Sequence, residues 1–315
     1  MTLRIDWLPV SRLEELQTFV DEHWRRGHVL ARDAELLRWQ HRRRADPDAL
    51  AVLVAEEDGH IAAMLGWIEF DACVGEERVS GGWMTNWLVV PDARRRGLGR
   101  ALVEHAMENA YEFIGALGAN SATLHVLGSA GFAEVGMHRW VRVFDLEALR
   151  ALLGGREYRE VAAPTAGGDG FLGACRDGTF LDWRYREHPR FRYQLLEDSS
   201  GLAAYRIEQI AGSPVRVMRI TDLLGGEALV GGLVEAAQRE GVVFADFYCT
   251  SPRFAAPLER AGFAAVDGLP GRFQPLDFSD RPIVSNFWAA PRLGVDFASG
   301  DLYVTRADSD LDRPN

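Results

Sequence analysis

The fold is decided by residues 84–101, which read MTNWLVVPDARRRGLGRA. The first part is a β-branched and aromatic run that ends at Pro91, and this pattern predicts a strand. Beyond the stretch, apolar residues recur at three- and four-residue spacing from Leu102 to Ile114. That period predicts a helix over residues 100–114 with one apolar face. A loop with two glycines, Gly97 and Gly99, connects the strand to the helix.

A strand, a glycine loop and a helix in this order direct backbone N–H groups and the positive end of the helix at an anion. Glycine permits positive φ and the close approach of a phosphate. The arginines Arg94, Arg95, Arg96 and Arg100 surround the same point. No Gly-Lys-Ser/Thr follows the glycines, and no third glycine completes a dinucleotide fingerprint. The loop therefore predicts a pyrophosphate site of another kind; the alternative is a plain turn with solvated arginines.

The pattern Arg94-x-x-Gly97-x-Gly99, preceded by a strand and Val90-Pro91, resembles the acyl-CoA-binding motif of the GNAT superfamily of N-acyltransferases. A second segment, in which Asn120 and Gly131-Phe132 bracket a short helix, resembles the same family. The resemblance implies transfer of an acyl group from CoA to an amine, with Asn120 at the pantetheine arm. It also implies that the acyl-CoA contacts include Leu88, Val89, Val90, Arg94, Arg95, Arg96, Gly97, Leu98, Gly99, Arg100 and Ala101.

The chain departs from the family at two positions. Leu127 stands where many members have a tyrosine that protonates the departing thiolate, and Asn86 stands where a carboxylate is common. An amine needs a base to become a nucleophile at neutral pH. The candidate catalytic residues are Asn86, Glu69, Asp71 and His125, with Glu134 and His138 as alternatives. The resemblance assigns polarisation of the thioester carbonyl to a backbone N–H on strand 86–90. A sensor or scaffold that binds acyl-CoA without catalysis is the second class of function.

Length and composition limit the remaining possibilities. The 315 residues, 47% of them hydrophobic, are enough for two globular domains. A net charge of −11 argues against a non-specific nucleic-acid binder. Cys73, Cys175 and Cys249 have no metal-ligand spacing, so we expect no metal and three reduced cysteines in a cytoplasmic protein. With neither a leader-like N-terminus nor a long apolar run, the sequence predicts no membrane association.

The order of elements recurs, which predicts an α/β protein with a mixed α+β sheet in tandem GNAT-like domains. We place an acyl-CoA-binding domain at residues 1–150, a degenerate copy at 151–290 and a C-terminal tail at 291–315. The hairpin 51–67 is answered by 193–205, the helix 100–114 by 228–240, and Gly131-Phe132 by Gly262-Phe263. In the second copy Gly225-Gly226 leads into a helix without an arginine loop, so only the first copy should bind CoA.

The acceptor is suggested by a weaker resemblance to bacterial two-domain GNAT proteins that acylate amino sugars. We therefore expect a nucleotide-linked amino sugar in a cleft between the halves, with a protein amine or a small amine, such as an aminoglycoside or a thiol precursor, as the alternatives. A nucleotide sugar needs cations for its diphosphate and aromatic faces for its rings. The residue types that could supply them, unless they serve packing or inter-domain salt bridges, are Arg139, Trp140, Trp183, Arg184, Tyr185 and Arg272.

Overall fold

The computed structural model describes residues 3–118, 121–164, 170–210, 212–271, 286–289 and 300–312. The strands are β1 Leu3–Pro9, β2 Ala49–Glu57, β3 His60–Val74, β4 Glu77–Val89, β5 Phe113–Leu117, β6 Ala133–Gly136, β7 His138–Val143, β8 Arg159–Glu160, β9 Gly170–Ala174, β10 Gln194–Asp198, β11 Gly201–Gln209, β12 Arg216–Leu224, β13 Phe244–Cys249, β14 Ala264–Asp267, β15 Asn286–Ala289 and β16 Gly300–Leu302. The α-helices are α1 Leu13–His23, α2 Val29–Arg32, α3 Ala34–Gln40, α4 Leu98–Asn109, α5 Ser121–Ser129, α6 Leu146–Leu153, α7 Gly178–Leu181, α8 Glu227–Glu240 and α9 Ala255–Arg260.

The strands form two mixed sheets. The first has the order β1-β2-β3-β4-β5-β15-β6, with β9 beside β3 and β16 beside β9. The second has the order β10-β11-β12-β13-β7-β14-β8. Along both orders the neighbours are antiparallel except for β4–β5 and β12–β13, which are parallel and are each joined through a helix. The predicted mixed α/β fold is confirmed.

The two sheets exchange one strand each. β15 lies between β5 and β6 in the first sheet, and β7 lies between β13 and β14 in the second. β7 follows β6 along the chain after a single residue, Met137, but belongs to the other sheet. The boundary expected at residue 150 therefore does not separate the sheets, because β7 precedes it and the first-sheet strands β9, β15 and β16 follow it. The exchange ties the two halves together through backbone hydrogen bonds.

Local sequence explains several elements of the first sheet. The β2–β3 hairpin turns at Asp58 and Gly59, both with positive φ, as Asp-Gly turns require. The side chain of Asp33 accepts a hydrogen bond from the Leu36 N–H and caps α3. The expected helix over 100–114 ends at Asn109 instead, and the last part of that pattern is strand β5, all five residues of which are buried. A short, wholly apolar run carries no periodicity that separates a buried strand from a helix.

The space between the two sheets is filled by one apolar cluster. It joins Phe70 and Trp83 of the first sheet with Leu202 of the second, and includes Trp183 and Leu311. Residues 301–312 are almost entirely buried, so this part of the expected C-terminal tail belongs to the core. Across the same interface Trp39 and Trp183 stack with ring centroids 5.0 Å apart, and each indole N–H donates to the other residue's carbonyl oxygen. The second half is thus part of one packed structure.

A disulfide joins Cys73 of β3 to Cys175, which follows β9, with the two Cα atoms 5.2 Å apart. The expectation of three reduced cysteines is therefore wrong for Cys73 and Cys175. Only Cys249 is a free thiol, and it is buried. Within the described ranges, no helix is long and apolar enough to cross a membrane.

Candidate active site

Strand β4 contains a bulge at its centre. Met64 pairs with Leu88 and Gly66 pairs with Thr85, so that Leu65 of β3 faces both Asn86 and Trp87 of β4. Asn86 has φ 46°, a left-handed conformation that asparagine adopts more readily than most residues. Bulges reorient the backbone next to functional sites. The extra residue shifts the register, and β4 resumes its pairing with β3 at Met64↔Leu88 and Ala63↔Val89.

The bulge lies where the first sheet opens. The parallel pairing of β4 with β5 runs from Gly81↔Phe113 to Met84↔Ala116 and stops there. Beyond Met84, no strand among the described residues pairs with β4 on the β5 side. This edge of β4 therefore presents backbone N–H and C=O groups to an opening that an extended ligand can enter. Residues 86–90, to which the sequence assigns the polarising N–H, belong to this part of β4 and the loop that follows it.

The arginine loop follows directly. Pro91–Ala93 form a 3-10 turn, and Gly97, with φ 82° and ψ 0°, is the N-cap of α4 without a side-chain cap. The first N–H groups of α4 therefore have no capping side chain, which is the arrangement that binds phosphates. A Cβ on Gly97 would meet nothing within 4 Å, so positive φ, rather than lack of space, requires glycine here. The predicted strand, glycine loop and helix thus occur in the expected order.

The arginines of the loop differ in their partners. Arg94 Nε donates to the Val89 carbonyl at 3.3 Å, Arg96 forms a salt bridge with Glu57, and Arg100 Nε lies 2.6 Å from Glu104 Oε1. Arg95 is exposed, has φ 64° and makes no ion pair within the described part of the chain. It is the loop cation whose charge is least compensated by the protein.

Gly99 packs closely against the indole of Trp87. A Cβ at this position would lie 3.0 Å from Trp87 Nε1. The glycine therefore lets α4 pack against the indole of the bulge residue Trp87. Room for a phosphate is not what this contact shows. The remaining loop positions agree with an anchored loop, since Leu98 is buried and the Val90 N–H at the start of the loop donates to the Ala62 carbonyl of β3 at 3.0 Å.

The carboxylates expected to act as a base are both paired with cations. Glu69 accepts hydrogen bonds from Tyr111 Oη at 2.8 Å, Arg43 NH1 at 3.1 Å and the Arg44 N–H at 2.6 Å. Asp71 receives a bidentate pair from Arg44 at 2.7 and 2.9 Å. The hydrogen bonds from Arg44 lower the pKa of Asp71, and burial beside Glu69 raises the pKa of Tyr111 well above its usual value. A carboxylate stabilised as the anion is a weak base.

The other candidates are dispersed. His125 is exposed on α5, Glu134 is exposed on β6, and His138 begins β7 in the second sheet, where burial lowers its pKa. Leu127 of α5, where many family members have the tyrosine that acts as the acid, is fully buried in the core of the first sheet. Asn86 is buried, and its Nδ2 lies 3.1 Å from Thr85 Oγ1 and 3.0 Å from His41 Nε2. Among the expected catalytic side chains, Glu69 and Asp71 are thus brought together by Arg44, whereas His125 lies on the surface of α5 and Asn86 is bonded to Thr85 and His41.

His41 is the residue that sequence reasoning missed. His41 begins the basic run His-Arg-Arg-Arg that follows α3, a pattern typical of a solvated helix end. Instead it is 1% exposed, and its ring packs over Gly66 on β3. A glycine within an otherwise apolar strand marks a close approach. That is the signal that could have identified the contact.

The residues expected to line an acceptor cleft are buried. Trp140 is fully buried in the core of the second sheet. Arg139 donates to Asp246 Oδ2 at 2.7 Å, Arg184 donates to the Ala307 carbonyl at 2.9 Å, and Tyr185 Oη donates to Asp222 at 2.9 Å. These partners give the side chains packing and salt-bridge roles in place of the expected ligand contacts. Asn120 and Arg272 lie outside the described residues. Within those residues, no group of three or more metal-ligating side chains occurs.

Comparison with known proteins agrees with this geometry. The family model described as Acetyltransferase (GNAT) family matches residues 12–137. Similar solved structures include GCN5-related N-acetyltransferases from Kribbella flavida (TM-score 0.54, 14% identity, 91% of this chain and 70% of that chain) and Anabaena variabilis (0.53, 14%, 79% and 66%). A probable N-acyltransferase from Enterococcus faecalis has a TM-score of 0.54 at 10% identity, over 92% of this chain and 72% of that chain. The chain spans about two thirds of the Anabaena protein. These identities show the fold alone, and no curated protein matches the chain.

Proposed function

We propose that this chain transfers an acetyl or other short acyl group from acyl-CoA to an amine, in line with the match of residues 12–137 to the model of the GNAT acetyltransferase family. One observation carries the proposal: the bulge at Asn86 lies on an open strand edge that leads directly into the Gly97-capped helix. A pyrophosphate at α4 and a thioester at the bulge would then lie along one continuous edge. Acyl-CoA is the ligand class with both groups.

The chemistry follows from this placement. The neutral amine attacks the thioester carbonyl, a C–N bond forms and the C–S bond breaks. The amine loses one proton to water, and the CoA thiolate takes one from water, so that the products are an amide and CoA thiol. Backbone N–H groups at the bulge would stabilise the oxyanion without a titratable side chain. The ion-paired Glu69 and Asp71 are assigned to structure in this proposal.

For the acceptor we propose a small primary amine without a fixed requirement for a nucleotide. The nucleotide-linked amino sugar expected from the sequence depended on arginine and aromatic side chains, and those that are described are buried. It stays a hypothesis for testing, together with a protein amine.

We also propose that the two halves are copies of one fold. The second sheet repeats the strand order of the first, with β11, β12 and β13 in the places of β3, β4 and β5. Its β12 also carries a register shift, opposite Ala204 and Tyr205, where β4 carries the bulge. The exchanged strands β7 and β15 occupy equivalent places in the two sheets. Duplication followed by strand exchange accounts for this symmetry.

The decisive experiment combines binding with turnover. Calorimetry with CoA and acetyl-CoA tests the site, and thiol release tests transfer to a panel of amino-sugar nucleotides, lysine peptides, aminoglycosides and polyamines. We expect binding, and turnover with at least one amine. Binding without turnover on any amine would favour a non-catalytic acyl-CoA-binding protein. Absence of CoA binding would contradict the proposal as a whole.

A further inference from the structure

The backbone of His41 is held by hydrogen bonds on both of its sides. Its N–H donates to the Leu37 carbonyl at 3.0 Å in the last turn of α3, and its carbonyl accepts from the Ala51 N–H at 2.7 Å at the start of β2. The residue is 1% exposed. The imidazole therefore projects from two anchored elements and has little freedom to turn.

The ring connects the two strands that form the bulge. Nδ1 lies 2.9 Å from the Trp67 carbonyl oxygen of β3, and Nε2 lies 3.0 Å from Asn86 Nδ2 of β4. Because a carbonyl oxygen can only accept, Nδ1 carries the proton of the neutral ring and Nε2 is the acceptor. The histidine thus donates to one strand and accepts from the other. Gln40 Nε2 lies 3.1 Å from the same Nε2.

Gly66 makes this contact possible. A Cβ on Gly66 would lie 2.6 Å from His41 Cε1 and 3.1 Å from Thr85 Oγ1. The first distance is too short for carbon atoms, and the ring is held at both nitrogens. Any side chain at residue 66 would therefore displace the imidazole. The glycine and the histidine act as one unit.

We infer that His41 is a positioning residue for acyl transfer, bracing the β4 bulge so that the backbone N–H groups beyond Asn86 are held towards the thioester. This inference rests on the proposed function. Asn86 occupies a left-handed conformation, which is less favourable than the usual strand conformation even for asparagine. The hydrogen bond from its amide to His41 offsets part of that cost and selects this orientation of the bulge.

The test uses three variants and one matched control. His41→Leu fills most of the space of the imidazole but loses its hydrogen bonds to Trp67 and Asn86. His41→Gln keeps one donor and one acceptor, in the plane of its amide group. Gly66→Ala displaces the ring without removing it. Gly231→Ala is the control, because a Cβ there meets nothing within 4 Å in the middle of α8.

The first measurement is amide hydrogen exchange over residues 84–90, which requires no turnover. We expect faster exchange in His41→Leu and Gly66→Ala, and wild-type exchange in His41→Gln and Gly231→Ala. Unchanged exchange in His41→Leu would overturn the inference. Equal acceleration in His41→Gln and His41→Leu would also overturn it, because the loss would then not depend on the hydrogen bonds.

The second measurement separates binding from catalysis. His41→Leu and Gly66→Ala should lower kcat by about 10²-fold, as expected when a transition-state contact moves by about 1 Å. The Kd for CoA should stay unchanged in both, because the pyrophosphate loop is not altered, and His41→Gln should restore most of the turnover. Loss of CoA affinity in parallel with kcat would indicate general damage and contradict a positioning role. A wild type that turns over no amine would contradict the proposed function, while the exchange result still decides the role of His41.

Discussion

The two sheets open at equivalent places, but only one opening is left accessible by the described residues. In the first sheet, β4 and β5 separate after Met84↔Ala116. In the second, the parallel strands β12 and β13 separate after Ile220↔Phe247. There the chain's own segment 303–305 enters the gap: Thr305 bridges to Cys249, and the Thr250 N–H donates to the Val304 carbonyl at 3.1 Å. A segment of the chain itself therefore fills the opening of the second sheet.

Tyr303 makes the main side-chain contacts of the segment 303–305 that fills this opening. Its hydroxyl donates to Asp222 Oδ1 at 2.5 Å and accepts from the Leu223 N–H at 2.9 Å, so that it satisfies a backbone donor just beyond the register shift of β12. Arg176 and Tyr185 bind the other oxygen of Asp222. Burial beside Asp222 raises the pKa of Tyr303 well above its usual value. The hydroxyl stays protonated, and no ligand is needed to complete the hydrogen bonds at this edge.

An opening between two parallel strands of this fold is stabilised in two different ways. One leaves the strand edge to an exchangeable ligand and places a glycine-capped helix and arginines beside it. The other fills the gap with a tyrosine and a buried ion-pair network and needs only a plain turn, Gly225-Gly226, before its helix. Under the proposed function, the second half stabilises the molecule and the first half performs the chemistry.

The largest effect is expected from removing the carboxylate of the filled opening. Asp222→Ala leaves the buried Arg176 with one carboxylate, Asp308, and two tyrosine hydroxyls without their acceptor. Breaking a buried pair costs about 3–5 kcal/mol. Urea unfolding should show a loss of this size, whereas calorimetry on the folded fraction should give the wild-type Kd for CoA.

Tyr303→Phe provides a milder version in case Asp222→Ala does not fold. It removes only the hydroxyl, at an expected cost of about 1–3 kcal/mol for the acceptor and donor left unsatisfied. If the free energy of CoA binding changed more than the free energy of unfolding, the assignment of binding to the first sheet and of stability to the second would be contradicted. So would an Asp222→Ala variant as stable as the wild type.

A smaller effect is expected at the glycines that precede the two helices. Gly97 has φ 82°, whereas Gly226 has φ −95° and ψ −160°, an extended conformation open to any residue. Valine at residue 97 costs about 1–2 kcal/mol in a left-handed conformation, and the loop can relieve this only by moving its N–H groups. Gly97→Val should therefore weaken CoA binding by about tenfold or more.

Gly226→Val is the matched control for this measurement. A side chain there meets nothing within 4 Å, so calorimetry should give an unchanged Kd for CoA. Equal losses in both variants would mean that valine destabilises the protein generally. No loss in Gly97→Val would remove the anion site from the loop and, with it, the main support for acyl-CoA.

The sequence predicted the part of the site that depends on local chemistry. Glycines at fixed offsets, flanking arginines and a change from strand to helix pattern are all encoded within residues 84–109, and the structure forms them there. Asn86 is a candidate catalytic residue in the sequence, where a carboxylate is common in the family, but after glycine asparagine is also among the residues that best tolerate a left-handed conformation. The presence of Gly66 in an apolar strand carried the matching signal.

What the sequence did not predict depends on contacts between distant segments. The exchange of β7 and β15, and the burial of residues 301–312, follow from which edges and apolar faces meet in three dimensions. The arginines expected in an acceptor cleft show the same limit, since Arg139 lies beside Asp246, 107 positions further along the chain. Burial would raise the pKa of Asp246, but Arg219, Arg306 and Arg139 together lower it well below its usual value. Residue type alone cannot distinguish such a buried network from a ligand site.

The smallest expected effect concerns the arginines of the open site. Arg95 is exposed and makes no ion pair within the described ranges, whereas Arg96 is already paired with Glu57. An exposed charge pair contributes about 0.2–1 kcal/mol, so Arg95→Ala should weaken CoA binding by up to about fivefold. Because salt screens exposed charges, the difference from wild type should shrink when calorimetry is repeated at high ionic strength.

Arg96→Ala is the comparison, and we expect a smaller loss of CoA affinity because the charge of Arg96 is compensated by Glu57. Arg159→Ala, an exposed arginine of the second sheet, should leave the Kd unchanged. A larger loss at Arg96 than at Arg95 would show that the ligand displaces Glu57 and would reverse the assignment of the loop's principal cation.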